Sequence, residues 1–163
     1  MSFNKRLKTK IQDLDNAVRI INGLRLKGKK IVFTNGCFDI LHKGHVTLLA
    51  KARDLGDILV LGLNTDESVK KQGKGENRPV NDQNARACVL ASLEFVDYIV
   101  LFNEDTPLEL IKTLRPNVLV KGGDYEKEIV VGYSEVKSFG GETVIIPLVE
   151  GYSTTSTIEK MKK

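Results

Sequence analysis

Short apolar runs alternate along this chain with segments whose apolar residues recur at helical spacing. Lys29 to Asn35 carries Ile31-Val32-Phe33, and Ile58 to Leu63, Tyr98 to Phe102, Val118 to Val120 and Glu142 to Pro147 follow as further strand-length runs. Their near-continuous hydrophobicity predicts strands buried on both faces, as in parallel sheets. Between them lie helical patterns: Leu14, Val18, Ile21 and Leu24 within residues 13–26, Gly44 to Leu55, a short segment after Asn64-Thr65-Asp66-Glu67-Ser68, Asp82 to about Leu93, Tyr133 to Phe139, and a last helix opening at Ser153. This order predicts an α/β fold, a Rossmann-like parallel sheet with helices on both faces. No repeat, low-complexity tract or linker interrupts the chain, so residues 1–163 read as one domain with residues 1–28 as an N-terminal helical extension.

Turn chemistry places the boundaries. Gly28 stops the first helix, and Gly56 reads as a left-handed cap. Thr106-Pro107-Leu108-Glu109 has capping-box spacing with proline at the first helical position. Asp66 either caps its helix or touches a ligand. Lys70 to Asn81 is a polar loop with Gly73-Lys74-Gly75 and Arg78-Pro79, and it lacks Walker A spacing. It is either a mobile surface loop or a flap that brings Lys74 and Arg78 onto phosphates.

Charge and composition narrow the classes. With 41% hydrophobic and 28% charged residues the chain has an ordinary globular composition. The formal charge of +4 suits anionic small molecules, and no arginine-rich or basic-aromatic tract points to nucleic acid. The lysines of Lys5 to Lys10 and Lys160 to Lys163 read as solvated termini. Two cysteines, Cys37 and Cys88, make no disulfide framework. No apolar run is long enough to cross a membrane and no signal peptide is seen, so a cytoplasmic location is expected.

The richest chemistry lies in Thr34-Asn35-Gly36-Cys37-Phe38-Asp39-Ile40-Leu41-His42-Lys43-Gly44-His45. It joins a strand's carboxyl end to a helix's amino end, where open α/β sheets bind ligands and free N–H groups favour phosphate. His42 and His45 are three apart and so share a helix face. They suit a polyphosphate chain. The competing readings are half a zinc site completed by Asp39 or Cys37, and a core histidine with a satisfied hydrogen bond; no zinc motif supports the first. Cys37 lacks the surroundings of a nucleophile and reads as a packing residue. A second strand-end turn, Lys121-Gly122-Gly123-Asp124-Tyr125, could be a plain turn or could carry an acid that reads a ribose or base. Ser153-Thr154-Thr155-Ser156-Thr157 opens the last helix as a cap or as a second phosphate site.

The run Gly-x-Phe-Asp-x-x-His-x-Gly-His from Gly36 to His45 resembles the signature of the cytidylyltransferase-like nucleotidyltransferases. That resemblance implies a Rossmann-like fold that binds a nucleoside triphosphate at this turn. Asn64-Thr65-Asp66, Arg78-Pro79-Val80-Asn81, Arg86, Val96-Asp97, Glu104-Asp105-Thr106-Pro107, Val120 to Tyr125 and Ser153-Thr154-Thr155 extend it over nearly the whole chain. Together they resemble the adenylyltransferase half of the bifunctional heptose kinase/adenylyltransferases of lipopolysaccharide synthesis, here without the kinase half.

The implied reaction joins ATP and D-glycero-beta-D-manno-heptose 1-phosphate into ADP-heptose and pyrophosphate. His42, His45, Lys74 and Arg86 are the implied catalytic donors. Thr34, Asn35, Gly36, Phe38, Asp39, Gly44, Lys121, Gly122, Gly123, Asp124, Ser153, Thr154 and Thr155 are the implied nucleotide-binding residues, and Asn64, Asp66 and Arg78 the implied substrate-binding residues. Mg²⁺ is expected on the triphosphate rather than in a protein cage, with Asp39 orienting the first turn or reaching the metal through water. ATP and the sugar phosphate are the expected partners, without nucleic acid or membrane, in a homodimer. The rivals are cytidylyl transfer to glycerol 3-phosphate or another polyol phosphate, and a non-catalytic nucleotide-binding module.

Overall fold

The computed structural model describes residues 2–73, 75 and 77–161. All strand pairs are parallel, in the order β1-β4-β3-β2-β5-β6. The strands are β1 (Ile11–Gln12), β2 (Ile31–Gly36), β3 (Ile58–Asn64), β4 (Tyr98–Phe102), β5 (Val118–Gly122) and β6 (Glu142–Ile146). The helices are α1 (Phe3–Lys10), α2 (Leu14–Leu26), α3 (Lys43–Arg53), α4 (Asp66–Lys71), α5 (Gln83–Ala91), α6 (Leu108–Leu114), α7 (Tyr133–Ser138) and α8 (Thr154–Met161), with a 3-10 turn at Lys127–Ile129.

Strand residues feed two cores in strict alternation. Val32, Leu59, Leu61, Leu63, Ile99, Val118 and Val120 point to one core with Leu49 and Ala52 of α3 and Ala87 and Leu90 of α5. Ile31, Phe33, Val60, Val100, Phe102 and Leu119 point to the other with Ala17 and Ile21 of α2, Leu110 and Ile111 of α6 and Val136 of α7. Two buried faces explain why the strands read as unbroken apolar runs. Side-chain acceptors begin the strands: Asn117 Oδ1 takes the N–H of Ile31 at 2.8 Å, and Asp97 Oδ2 that of Leu59 at 2.7 Å.

Several local expectations are corrected. Residues 1–28 are more than a helical extension, because β1 pairs with β4 and supplies a sheet edge. The Lys5–Lys10 stretch lies in α1, where Lys10 Nζ donates to the Leu93 carbonyl at 2.8 Å. Two residues of strand carry too little periodicity to be seen in sequence. Gly28 does adopt a left-handed φ of 74°, but Gly56 does not appear among the positive-φ glycines. Gly56 is needed for space: a Cβ there would meet Val32 Cγ2 at 2.6 Å and the Lys30 carbonyl oxygen at 2.8 Å. Helix α6 starts one residue later than the capping-box spacing predicts, with Pro107 at the cap and no side-chain capping bond. Asp66 is not a cap either; Thr65 accepts the Ser68 N–H, and Asp66 is the first residue of α4.

The chain runs outward from β2 through β3 to β4, then returns to β5 on the other side of β2 and continues to β6. The carboxyl ends of β2 and β5 therefore flank a topological switch point, the crevice where such sheets bind ligands.

Candidate active site

The turn after β2 is built around a strained residue. Phe38 has φ 44°, a left-handed conformation that costs a non-glycine residue about 1–2 kcal/mol. Its ring is buried, lies over Gly36, and meets the His45 ring edge-on with centroids 5.1 Å apart. A Cβ on Gly36 would come within 2.8 Å of the Phe38 ring, so only glycine lets this turn close. Gly44 serves the histidines in the same way, since a Cβ there would sit 3.0 Å from His42 Cε1 and Nδ1.

The two imidazoles share one face, as their spacing predicts, and stack with centroids 3.8 Å apart at 21°. His42 occupies the cap position of α3 without making a capping bond. Its Nδ1 is buried and has no hydrogen-bond partner among the described residues. Burial pushes the His42 pKa below its ordinary value, so the ring is a neutral donor at pH 7.

Asp39 orients the turn. Its carboxylate is buried and accepts from Arg78 Nε at 2.6 Å, Val80 N at 2.9 Å and Asn81 N at 2.9 Å, while Asn81 Nδ2 donates to the Asp39 carbonyl. Burial pushes the acid up, but the Asn81 and Val80 N–H groups and then the Arg78 guanidinium outweigh it and hold it below the usual carboxylate range. The second half of the polar loop is thereby fastened to the first turn. Lys74, in its first half, lies outside the described residues.

Arg86 takes a place the sequence reading did not foresee. The whole side chain is buried, and its guanidinium donates to the Asn81 carbonyl at 3.0 Å, the Cys37 carbonyl at 2.6 Å and Asp66 Oδ1 at 2.7 Å. It clamps the first turn, the loop and α4 from behind, with all three directions spent on protein. Asn64 is likewise buried and donates to Ser68 Oγ at 2.9 Å, and Ser68 Oγ donates onward to the Glu104 carbonyl. Asn64 and Asp66 thus support the floor, and neither lines the cavities described next. Cys37 is a buried thiol 3.2 Å from Gln72 Oε1.

A cavity of 420 Å³ opens above β2 and β5. Of the residues expected to bind nucleotide, Asn35, Gly36, Phe38, Asp39, Lys121, Gly122, Thr154 and Thr155 line it, together with His45 and Arg78. Both helix starts meet here: His45 belongs to the first turn of α3, and Thr154 and Thr155 open α8. Lys43 Nζ stands 5.5 Å over the Tyr152 ring and links the two ends. Two helix starts with their positive dipole ends thus face one cavity, an arrangement that favours anions in general.

Thr34 and Gly44 are buried beneath this surface. Gly123 has φ 147° and packs against the Tyr125 ring, Asp124 is exposed, and the Ser153 carbonyl accepts the Thr157 N–H at 3.0 Å. Leu48 and Leu148 also line the cavity, and no sequence signal separates them from other leucines. Asn35, Lys121 and Tyr125 form a wall shared with a second cavity of 310 Å³ on the other side.

Known proteins resemble this chain in sequence and in fold. The Cytidylyltransferase-like family profile matches residues 33–160. The bifunctional protein HldE of Geobacter metallireducens is 56% identical over 152 residues, which is 93% of this chain and 31% of that protein. HldE of Caulobacter vibrioides is also 56% identical over 152 residues, again 93% and 31%. The chain thus spans less than a third of the length of these curated relatives. Among solved structures, the lipopolysaccharide core biosynthesis protein of Thermoplasma volcanium superposes with a TM-score of 0.63 at 26% identity, covering 77% of this chain and 100% of that one. Pantoate-beta-alanine ligase of Francisella tularensis also reaches 0.63, at 18% identity over 93% of this chain and 76% of its own, a likeness of fold alone.

Proposed function

The chain belongs to the cytidylyltransferase-like family, and from that premise we propose that it transfers an adenylyl group from ATP to D-glycero-beta-D-manno-heptose 1-phosphate, releasing pyrophosphate and ADP-heptose. The observation that carries this reading is the convergence of His45 and the Thr154-Thr155 helix start on one cavity beside Lys121. The identity to HldE proteins and the likeness to a lipopolysaccharide core biosynthesis protein favour the heptose substrate.

In this reaction an oxygen of the sugar phosphate attacks the α-phosphorus of ATP. The bond to the β-phosphate oxygen breaks, and its electron pair leaves with pyrophosphate. The attacking phosphomonoester has a second pKa of about 6 and is ionised at neutral pH, so no general base is needed. The protein supplies position and donors for charge on the α-phosphate and leaving group. His42 and His45 are the proposed donors at one helix start, and Thr154 and Thr155 at the other. Lys121, on the wall between the two cavities, is placed to meet negative charge from either side. Arg86 and Asp39 hold the turn that aims the histidines.

Among the described residues no cluster of three His, Cys, Asp or Glu could hold a metal ion. Asp39 is committed to Arg78 and the loop. The proposal includes Mg²⁺ bound through the triphosphate, where it would neutralise charge on the leaving pyrophosphate. No helix among the described residues is long and apolar enough to cross a membrane. A cytoplasmic homodimer is part of the same proposal.

Pyrophosphate release by the purified protein, with ATP or CTP, Mg²⁺ and a panel of sugar 1-phosphates and glycerol 3-phosphate, tests the reading. Turnover with ATP and heptose 1-phosphate is expected. The family description favours one alternative, cytidylyl transfer to a polyol phosphate, and CTP-dependent turnover on glycerol 3-phosphate would select it.

A further inference from the structure

The transfer needs a second compartment that meets the nucleotide at one point, and the fold contains one. The 310 Å³ cavity shares Asn35, Lys121 and Tyr125 with the nucleotide cavity. Beyond that wall its lining changes character. Neither histidine nor α8 reaches it; Gln72, Asp105 and Thr106 supply its remaining polar groups, and Pro107, Leu119 and residues 129–131 form an apolar side. A carboxylate accepts hydrogen bonds and repels phosphate, so the Asp105 end cannot take a triphosphate but suits uncharged hydroxyl donors. The side chains of Asp105 and Thr106 make no hydrogen bond or ion pair to other described residues. Apolar walls with a few convergent polar groups suit a pyranose, whose hydroxyls point outward around a C–H face.

Resting on the adenylyltransferase reading, we infer that this cavity is the acceptor compartment. It takes a sugar phosphate with its phosphate toward Lys121 and its hydroxyls toward Asp105, which makes Asp105 a specificity-determining residue. The orientation follows from charge and strand order: Lys121 lies on β5 in the shared wall, and Asp105 follows β4, which β3 and β2 separate from β5. It places the acceptor phosphate at the boundary of the two cavities, where the α-phosphate of ATP must be reached. Asn64 and Asp66, expected to bind substrate, are bound into the floor, and the sugar contacts fall instead to Asp105, Thr106 and Gln72.

The test is steady-state pyrophosphate release with ATP and heptose 1-phosphate each varied, for the wild-type chain, Asp105→Ala and Val131→Trp. Both substituted residues are exposed, so the folds should melt as wild type does. Loss of the hydroxyl acceptor, or a filled cavity, should raise the acceptor KM at least tenfold and leave the ATP KM within twofold. An unchanged acceptor KM in either variant, or a rise in the ATP KM instead, overturns the inference while wild-type turnover upholds the parent reading. Absence of wild-type turnover on any sugar 1-phosphate overturns the parent reading and this inference with it.

Discussion

The His42 ring lies across the Cα of Gly44 and stacks on His45 with centroids 3.8 Å apart. The glycine of this motif is thus a condition on ring position, since its φ is not left-handed. In Gly44→Ala the new Cβ would stand 3.0 Å from two ring atoms, and the ring must give by a few tenths of an ångström. We expect kcat to fall about tenfold or more, because small displacements of catalytic groups are costly, with a melting temperature close to wild type. An unchanged kcat would show that ring position does not matter.

His45→Ala should retain the fold and lose about 10²–10³ in kcat, the usual cost of one preorganised donor. Near-normal turnover in a variant with wild-type circular dichroism would remove His45 from the machinery.

Thr154→Ala and Thr155→Ala separate a cap from a phosphate donor. A lost cap costs about 1 kcal/mol of stability and leaves turnover of the folded protein alone. A lost donor raises the ATP KM or lowers kcat. Kinetics that stay at wild-type values while the melting temperature drops would reduce this helix start to a structural role.

Arg78→Ala would leave the buried Asp39 carboxylate with only its backbone donors. Side-chain exposures of 11% for Arg78 and 0% for Asp39 put this pair inside the protein. Breaking such a pair typically costs about 3–5 kcal/mol, and the Val80 and Asn81 N–H groups should keep the loss near the lower end. Chemical denaturation measures it; a loss below about 1 kcal/mol would mean the pair behaves as a surface one.

Stability should respond to pH in two separate windows. His42 is held below its ordinary value of 6.5, so the unfolded state binds the proton more tightly; its contribution is complete above about pH 6.5 and is lost as pH falls toward the folded value. Asp39 is held below 3.8, so its contribution is complete above that value and is lost only as pH drops through the lower folded one. Thermal melts should show a shallow decline beginning near pH 6.5 that disappears in His42→Asn, and a steeper one below pH 4 that persists. Identical pH profiles for the two proteins would refute the assignment to His42.

The sequence by itself determined the strands β2 to β6, the crossover helices and the strand-end turn, whereas the meeting of His45 with the hydroxyl-rich helix start is a contact that the fold makes. Those features rest on signals between near neighbours: a period of two or 3.6, a glycine where a ring must pass, a hydroxyl before a helix. Tertiary structure decided what each charged side chain faces. Arg86 and Arg78 look like phosphate donors in sequence, yet Arg86 donates to a carbonyl 49 residues away and Arg78 pairs with an acid 39 residues away. Asp105 enters the sequence reading only within the Glu104-Asp105-Thr106-Pro107 segment, and the fold places it in the lining of a cavity that Lys121 also lines. A guanidinium binds a carboxylate, a carbonyl or a phosphate by the same hydrogen bonds, so only the arrangement of distant chain segments selects which one it meets.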